Sequence, residues 1–301
     1  MTDRSHNLLI ELLLLGCLAV LWGSSYLWIK IALDSIPPLT LIAIRVSIAA
    51  AILVIVAYAM RLPWSIDLRT SRMLFVQAFL NSTGAWTILA WGQQYVDSGL
   101  AGVLNSTAPV FVLLFTMFWT RHEPTTFWKV LGCVFGIAGV VMIIGFDALN
   151  NIGQQVIAQL AVLTGAVMYA GAAIYGKQRF NHLHPTVTAA GTMIIATLCL
   201  VPISLVIEKP WTLTPTMEAV SAALILGVFC TGFALLLYFR LLRTLGSMGV
   251  ASQAYLRAGL SVLLGVVILG EQLTMVLALG VLATILGVAM INAPVKKQAS
   301  S

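Results

Sequence analysis

The sequence predicts an all-α membrane protein: ten transmembrane helices in two inverted five-helix repeats, with both termini cytoplasmic. Three observations lead there. Of 301 residues, 60% are hydrophobic and only 9% charged, with a mean hydropathy of +1.01, whereas an ordinary soluble domain is about a quarter charged. Apolar runs of about 20 residues, the length that crosses a hydrocarbon core of ~30 Å, lie near 10–32, 39–60, 73–95, 99–120, 127–145, 156–176, 186–207, 218–239, 248–269 and 273–292. The chain also repeats itself. Residues 123–143 overlay 271–291 at an offset of 148, matching at Glu, Thr, Leu, Gly, Ile, Val and Met. Thr83-Gly84 falls on Thr231-Gly232 at the same offset, and Lys30 and Pro38 fall on Lys177 and Pro185 at 147. A unit that crosses an odd number of times forces its second copy to enter from the opposite face.

The first run is too long for a typical cleavable signal and lacks a small-residue cleavage site, so it reads as a span. Ile36-Pro37-Pro38 turns the chain into the second, which carries Arg45. The third holds Asn81-Ser82-Thr83-Gly84-Ala85-Trp86-Thr87 at its centre and Gln93-Gln94 at its outer end. Asn105 and Pro109 belong to the fourth, and the fifth is a glycine-rich helix behind Glu123. The polar stretch 147–155 links the two repeats, 1–148 and 149–301. Tyr169 lies in the sixth span, which ends near Lys177, and Pro185 precedes the seventh. Lys209-Pro210-Trp211 leads into the eighth, with Thr231-Gly232. The ninth holds Arg257, and the tenth repeats the fifth, with Gly280 and Gly287 behind Glu271. Length and glycine content favour helices over membrane strands, which show as shorter alternating segments.

A net charge of +6 would suggest a nucleic-acid partner in a soluble chain, but here placement decides. With alternating connections on opposite sides, one side collects Arg4, Arg61, Arg69, Arg72, Arg121, Lys129, Lys177, Arg179, Arg240, Arg243, Lys296 and Lys297. The other side has only Lys30 and Lys209, and Arg45 and Arg257 sit inside spans. By the positive-inside rule both termini are cytoplasmic. Cys17, Cys133, Cys199 and Cys230 fall within spans without paired spacing, so neither a disulfide nor a metal framework is expected. The ten acids all lie in connections or near span ends, and His6, His122, His182 and His184 lie in terminal or cytoplasmic segments. That leaves no catalytic or zinc-like array and no midplane carboxylate to carry a proton. No Walker-type loop is present. The expectation is therefore no enzyme, no cofactor, no metal and no nucleic acid.

The run Leu21-Trp22-Gly23-Ser24-Ser25-Tyr26-Leu27-Trp28-Ile29-Lys30, then Pro37-Pro38, then Arg45, resembles the drug/metabolite transporter superfamily. So does the closing of each repeat with Glu, Thr and a glycine-rich helix. The likeness is to its ten-helix carriers with two EamA-type domains, nearest in pattern to bacterial amino-acid exporters, those for aromatic amino acids included. It covers essentially the whole chain. What the resemblance implies is an exporter of small metabolites through a central cavity between the repeats, located in the bacterial inner membrane. One departure stands out. Small multidrug members carry an acid eight residues before a comparable lysine, where this chain has Trp22 before Lys30, which weakens proton-coupled cation efflux.

Seven residues are candidates for substrate contact: Arg257, Gln253, Asn81, Trp86, Trp22, Tyr169 and Asn105. Arg257 lies roughly 13 Å inside its span, where an arginine costs ~3 kcal/mol even on a mild insertion scale. Gln253, Arg257 and Ser261 recur every four residues on one face, suited to hold a substrate carboxylate in a guanidinium fork; a structural arginine bound to carbonyls or reaching the interface is the other reading. Across the repeat Asn105 matches Gln253, but Pro109 matches Arg257, so the charge is asymmetric. Asn81 and Trp86 have no polar counterpart, facing Phe229 and Ala234. Trp22 and its counterpart Tyr169 are too deep for an interfacial belt, and either a cavity or core packing accommodates them. Arg45, about two turns inside the outer interface, reads as structural or gating ahead of substrate binding. Thr83-Gly84 and Thr231-Gly232 read as matched packing, Lys30 and Lys177 as helix C-terminal cations, and Glu123 and Glu271 as N-terminal caps.

The expected function is export of small metabolites, neutral or aromatic amino acids and related solutes foremost, by gradient-driven alternating access. The alternative is proton-coupled efflux of hydrophobic drugs or other metabolites. The partners are a small-molecule substrate and the lipid bilayer. Oligomeric state is left open, a monomer sufficing.

Overall fold

The structure, a computed structural model, describes residues 2–64, 66–117, 126–150, 153–244 and 253–291. Among these residues the regular structure is helical throughout. The elements are α1 (Thr2–Ala32), α2 (Pro38–Ala59), α3 (Leu68–Gln93), α4 (Ser98–Phe115), α5 (Phe127–Asn150), α6 (Gln154–Arg179), α7 (Pro185–Ile207), α8 (Met217 through Thr244), α9 (Gln253–Leu269) and α10 (Met275–Ile291). Seven of them, α1–α4 and α6–α8, are long and apolar enough to cross a membrane by length and composition, while α5, α9 and α10 carry shorter apolar stretches. For α9 the expected beginning at 248 lies outside the described residues.

Local chemistry sets several helix boundaries. Pro38 opens α2 behind an extended Pro37, where its missing N–H costs nothing. Asp67 accepts from Thr70 N at 2.8 Å to start α3, and Thr216 accepts from Ala219 N at 3.2 Å to start α8. Gly270, at φ +69°, ends α9 in the left-handed conformation that glycine adopts without strain. Pro109 has no N–H for the carbonyl of Asn105, so α4 breaks into Ser98–Asn105 and Ala108–Phe115.

The repeat recurs in irregular geometry. In α3, Phe79–Thr83 forms a π turn, and in α8, Val228–Phe233 does the same. Thr83 and Thr231, aligned by sequence, thus sit in matching widened turns, a feature frequent at functional sites. Thr231 Oγ1 donates to Leu226 O, five residues back, at 2.8 Å.

The main packing runs between the two halves. α2 lies on α7, α5 on α10, α1 on α8 and α9, and α6 on α3 and α4. The α5–α10 seam is nearly backbone to backbone: a Cβ on Gly139 would stand 2.6 Å from Gly280 O, and one on Gly132 2.6 Å from Gly287 O. Small residues at such spacing permit close approach. Large apolar side chains such as Ile55, Phe75, Val134, Val206 and Val267 point outward, as they do on lipid-facing helices.

One end of the bundle is held by polar contacts. Lys30 Nζ donates to Gln93 O at 2.9 Å and Val96 O at 3.0 Å. Glu208 Oε1 and Oε2 accept from Leu39 N at 3.0 Å and Thr40 N at 2.6 Å. Glu271 Oε1 and Oε2 accept from Ser98 N at 2.6 Å and Gly99 N at 2.9 Å. Two sequence expectations change here. Lys30 does complement a helix C-terminus, but that of α3 instead of its own. Glu271 caps α4 in the other repeat, because it stands in the connection ahead of α10, clear of that helix's first turn. Glu123 lies outside the described residues. The contacts also fix chain direction: α2 begins where its counterpart α7 ends, and α3 ends where its counterpart α8 begins, next to Ser35.

Candidate functional site

Inside the bundle, polar and aromatic side chains from both repeats converge. Arg45 of α2 is 6% exposed, and its Nε donates to Thr231 Oγ1 at 2.8 Å. The π turn of α8 creates that acceptor. By giving its own proton to Leu226 O, the Thr231 hydroxyl turns its lone pairs to the guanidinium. The Arg45 guanidinium carbon lies 3.8 Å from the centroid of the Trp86 ring, a cation–π distance. Trp86 is itself 6% exposed, and its Nε1 has no partner among the described residues.

Arg257 projects from α9 toward the break in α4. Its Nη2 reaches Ser106 Oγ at 3.5 Å, the long limit of a hydrogen bond, and its buried Nε has no partner among the described residues. The helices come together here because Gly23 of α1 carries no side chain: a Cβ there would stand 3.2 Å from Arg257 O and 2.9 Å from Leu260 Cβ. One residue before Ser106, Asn105 Nδ2 donates to Tyr26 OH at 2.6 Å, while Asn105 Oδ1 has no partner among the described residues. Tyr169 lies within electrostatic reach of Arg45, Tyr26 and Arg257.

The seven sequence candidates thus separate. Arg257, Asn105, Tyr169 and Trp86 belong to the cluster. Gln253, one turn before Arg257, is 7% exposed with Oε1 unpartnered among the described residues. Two lie apart. Trp22 packs against Tyr238, ring centroids 5.4 Å apart, in a separate apolar group with Leu15, Leu18 and Leu241. The Asn81 amide donates to its neighbour Ser82 at 3.1 Å. The stripe Gln253, Arg257, Ser261 does share a face, but Ser261 is packed on Gly99 and Gly102 of α4 and bonded to Ala258 O at 2.8 Å, so only the upper part of the stripe meets the cluster.

Arg45, Tyr26, Thr231 and Ser106 join the site without having been candidates. A signal for Arg45 existed: its repeat counterpart is Thr192, an asymmetry as strong as that of Arg257 and Pro109. Thr192 turns back on Thr188 O at 2.7 Å, and Thr83 Oγ1, the counterpart of the Arg45 acceptor, has no partner among the described residues. The second repeat therefore lacks the basic residue for which the first repeat's threonine would be the acceptor.

No carboxylate is paired with Arg45 or Arg257 among the described residues; Arg240 pairs with Glu11 at 3.2 Å, at the end of the bundle opposite the Lys30 contacts. No group of metal-ligating side chains occurs among the described residues either. The cluster offers guanidinium donors, an indole N–H, two amides and two phenols, which is binding chemistry suited to a small polar or anionic organic molecule.

Comparison with known proteins agrees with this architecture. The chain is 28% identical over 279 residues to the uncharacterized transporter YoaV of Bacillus subtilis, covering 92% of this chain and 95% of that one. It is 28% identical over 273 residues to the uncharacterized inner membrane transporter YedA of Escherichia coli, covering 89% and 86%. A solved crystal structure superposes with a TM-score of 0.65 at 21% identity, over 92% of this chain and 96% of its own, which shows the common fold. The EamA-like transporter family model matches twice, at residues 9–145 and 156–293. With two copies of that unit filling the chain, the protein belongs to the EamA-like transporter family and is a membrane transporter.

Proposed function

We propose that this transporter exports small carboxylate-bearing metabolites, amino acids and related solutes foremost, from the bacterial cytoplasm across the inner membrane. Both termini face the cytoplasm, and the two five-helix repeats, 1–148 and 149–301, rock about the Arg45–Arg257 cluster in alternating access. The observation that carries the reading is the buried Arg257 Nε, a charged donor without a partner among the described residues. Leaving such a group unsatisfied is costly, and a substrate carboxylate would satisfy it together with Ser106. Trp86, Asn105, Gln253 and Tyr169 would bind the remainder, with Asn81 and Trp22 lining the approach.

Flux runs down the substrate's own gradient. In support, acids are held at the ends of the bundle, away from the cluster: Glu11 by Arg240, Glu208 by α2, Glu271 by α4 and Asp67 by the first turn of α3. The test is export of a solute panel from proteoliposomes holding the purified protein. Saturable efflux of a carboxylate-bearing solute that persists after the proton gradient is collapsed is the expected result. Efflux confined to hydrophobic cations and abolished by ionophore would return the alternative, proton-coupled drug efflux.

A further inference from the structure

Arg45 is buried and Arg257 half-buried within this bundle, and among the described residues the groups within electrostatic reach of Arg45 are Tyr169, Cys230 and Tyr26, with no carboxylate among them. A buried charge is normally paired or bonded to several acceptors. Arg45 has one neutral acceptor, Thr231, and the Trp86 face. Among the described residues Arg257 has one long contact to Ser106 and an unpartnered Nε. The site thus carries two positive charges and little to balance them.

A zwitterionic substrate does not supply the balance, since its ammonium would bring a third cation into the cluster. What that ammonium would meet is neutral: the amide oxygens Asn105 Oδ1 and Gln253 Oε1, with no carboxylate among the described residues to offset its charge. The Trp86 ring is covered by Arg45 on one face and is 6% exposed overall, and Trp22 is packed on Tyr238 outside the cluster. Tyr26 is 3% exposed, with its hydroxyl already accepting from Asn105. Cation–π binding of an ammonium, the usual substitute for an acid, is thus blocked on these three rings, and the remaining ring of the cluster, Tyr169, lies within electrostatic reach of both arginines, which repel an added cation.

We infer that the site selects organic solutes of net negative charge, dicarboxylates and acidic amino acids, over neutral zwitterions. This rests on the reading of the cluster as the transport site. One carboxylate engages Arg257 and Ser106, and the second negative group relieves Arg45. A consequence is electrical: without a coupling cation, each transported molecule carries net charge.

The experiment uses full-length protein in proteoliposomes preloaded at neutral pH with glutamate, succinate or phenylalanine, with a potassium diffusion potential set by valinomycin. Glutamate and succinate are expected to leave at least tenfold faster than phenylalanine. An inside-negative potential should drive them outward, raising the outside-to-inside ratio of the monoanion by about fiftyfold at about 100 mV. Arg45→Gln, checked for monodispersity, should lower the glutamate-to-phenylalanine rate ratio at least tenfold; if that variant does not fold, Arg257→Gln gives the same readout. Phenylalanine leaving as fast as glutamate, or glutamate efflux indifferent to potential, would overturn the inference while leaving the transport reading intact. Phenylalanine efflux that requires chloride would also overturn it, by showing that an inorganic anion balances the arginines. Absence of both flux and calorimetric binding for all three solutes would instead remove the transport reading, and the inference with it.

Discussion

Arg45 and Thr231 are 186 positions apart, yet the Nε of one lies 2.8 Å from the Oγ1 of the other, tying the second helix of the first repeat to the π turn of the second. The contact exists because the Thr231 proton is committed to Leu226 O, leaving the oxygen as an acceptor. Thr231→Val keeps the shape and removes that acceptor. A hydrogen bond to a charged group contributes about 1.5–3 kcal/mol, so apparent affinity should fall roughly ten- to a hundredfold. Thr231→Ser should recover most of it. Concentration dependence of efflux for the three proteins measures this, and equal affinity in wild type and Thr231→Val would detach the contact from the site.

At Arg257 the test is chemical. Arg257→Lys keeps the charge but loses the planar fork, so transport should be impaired. Arg257→Gln should lose more, roughly ten- to a hundredfold in affinity, and chiefly for substrates with a free carboxylate. Competition by a carboxyl-amidated analogue should be less sensitive. Equal losses for acid and amide would assign Arg257 to structure or gating.

Glu271 is expected to control one end of the bundle. Glu271→Gln weakens the cap on Ser98 N and Gly99 N, and loss of a cap costs about 0.5–2 kcal/mol. The polar-laced end should open more often, by roughly two- to thirtyfold in population. A single cysteine at Leu100, in an otherwise cysteine-free protein, should react faster with a membrane-impermeant maleimide. An unchanged labelling rate would show that the cap does not govern that end.

The α5–α10 seam makes a stability prediction. Gly139→Val places side-chain atoms against Gly280 O and Thr284, and overpacking of this kind costs about 1–3 kcal/mol. The midpoint of thermal unfolding in detergent should fall. Gly16→Val is the control, since a Cβ at Gly16 meets nothing within 4 Å. Similar midpoints for the two variants would contradict the seam.

Topology is testable by the same labelling chemistry. Cysteines at Arg69 and Arg179 should react from the cytoplasmic side and one at Asp97 from the outside, as the cation asymmetry requires. A cysteine at Arg69 labelled from outside would reverse the proposed orientation.

Much of the architecture was legible because repetition and glycine spacing are written directly in the chain. Gly132 and Gly139 aligned with Gly280 and Gly287 before any contact was known, and they prove to face each other. The site was legible only in part. Arg257 stood out by its depth and lack of a repeat counterpart, and it does lie in the cluster. Arg45 was placed by its distance from the helix start, a measure of depth that says nothing about azimuth or about the turn of α8 that meets it. Trp22 and Tyr26 lie one turn apart on α1, and only the packing of Tyr238 against Trp22 decides that the tyrosine, not the tryptophan, enters the cluster. The π turn in α8 was invisible as geometry, since Thr231-Gly232 reads equally well as plain helix packing.

The contrast between the glycine seam and the capped end divides the molecule into fast and slow parts. Where α5 meets α10, main chains touch over several turns, and separating them would strip away contacts that no lipid tail can replace, so that pair travels as one rigid strut. At the laced end, each link is a lone side chain resting on a helix tip, releasable by a rotamer change without unwinding any helix. In the alternating-access cycle proposed above, motion can therefore be concentrated in rotamer-speed release of Lys30, Glu208 and Glu271, with the strut supplying a fixed frame of reference for both repeats.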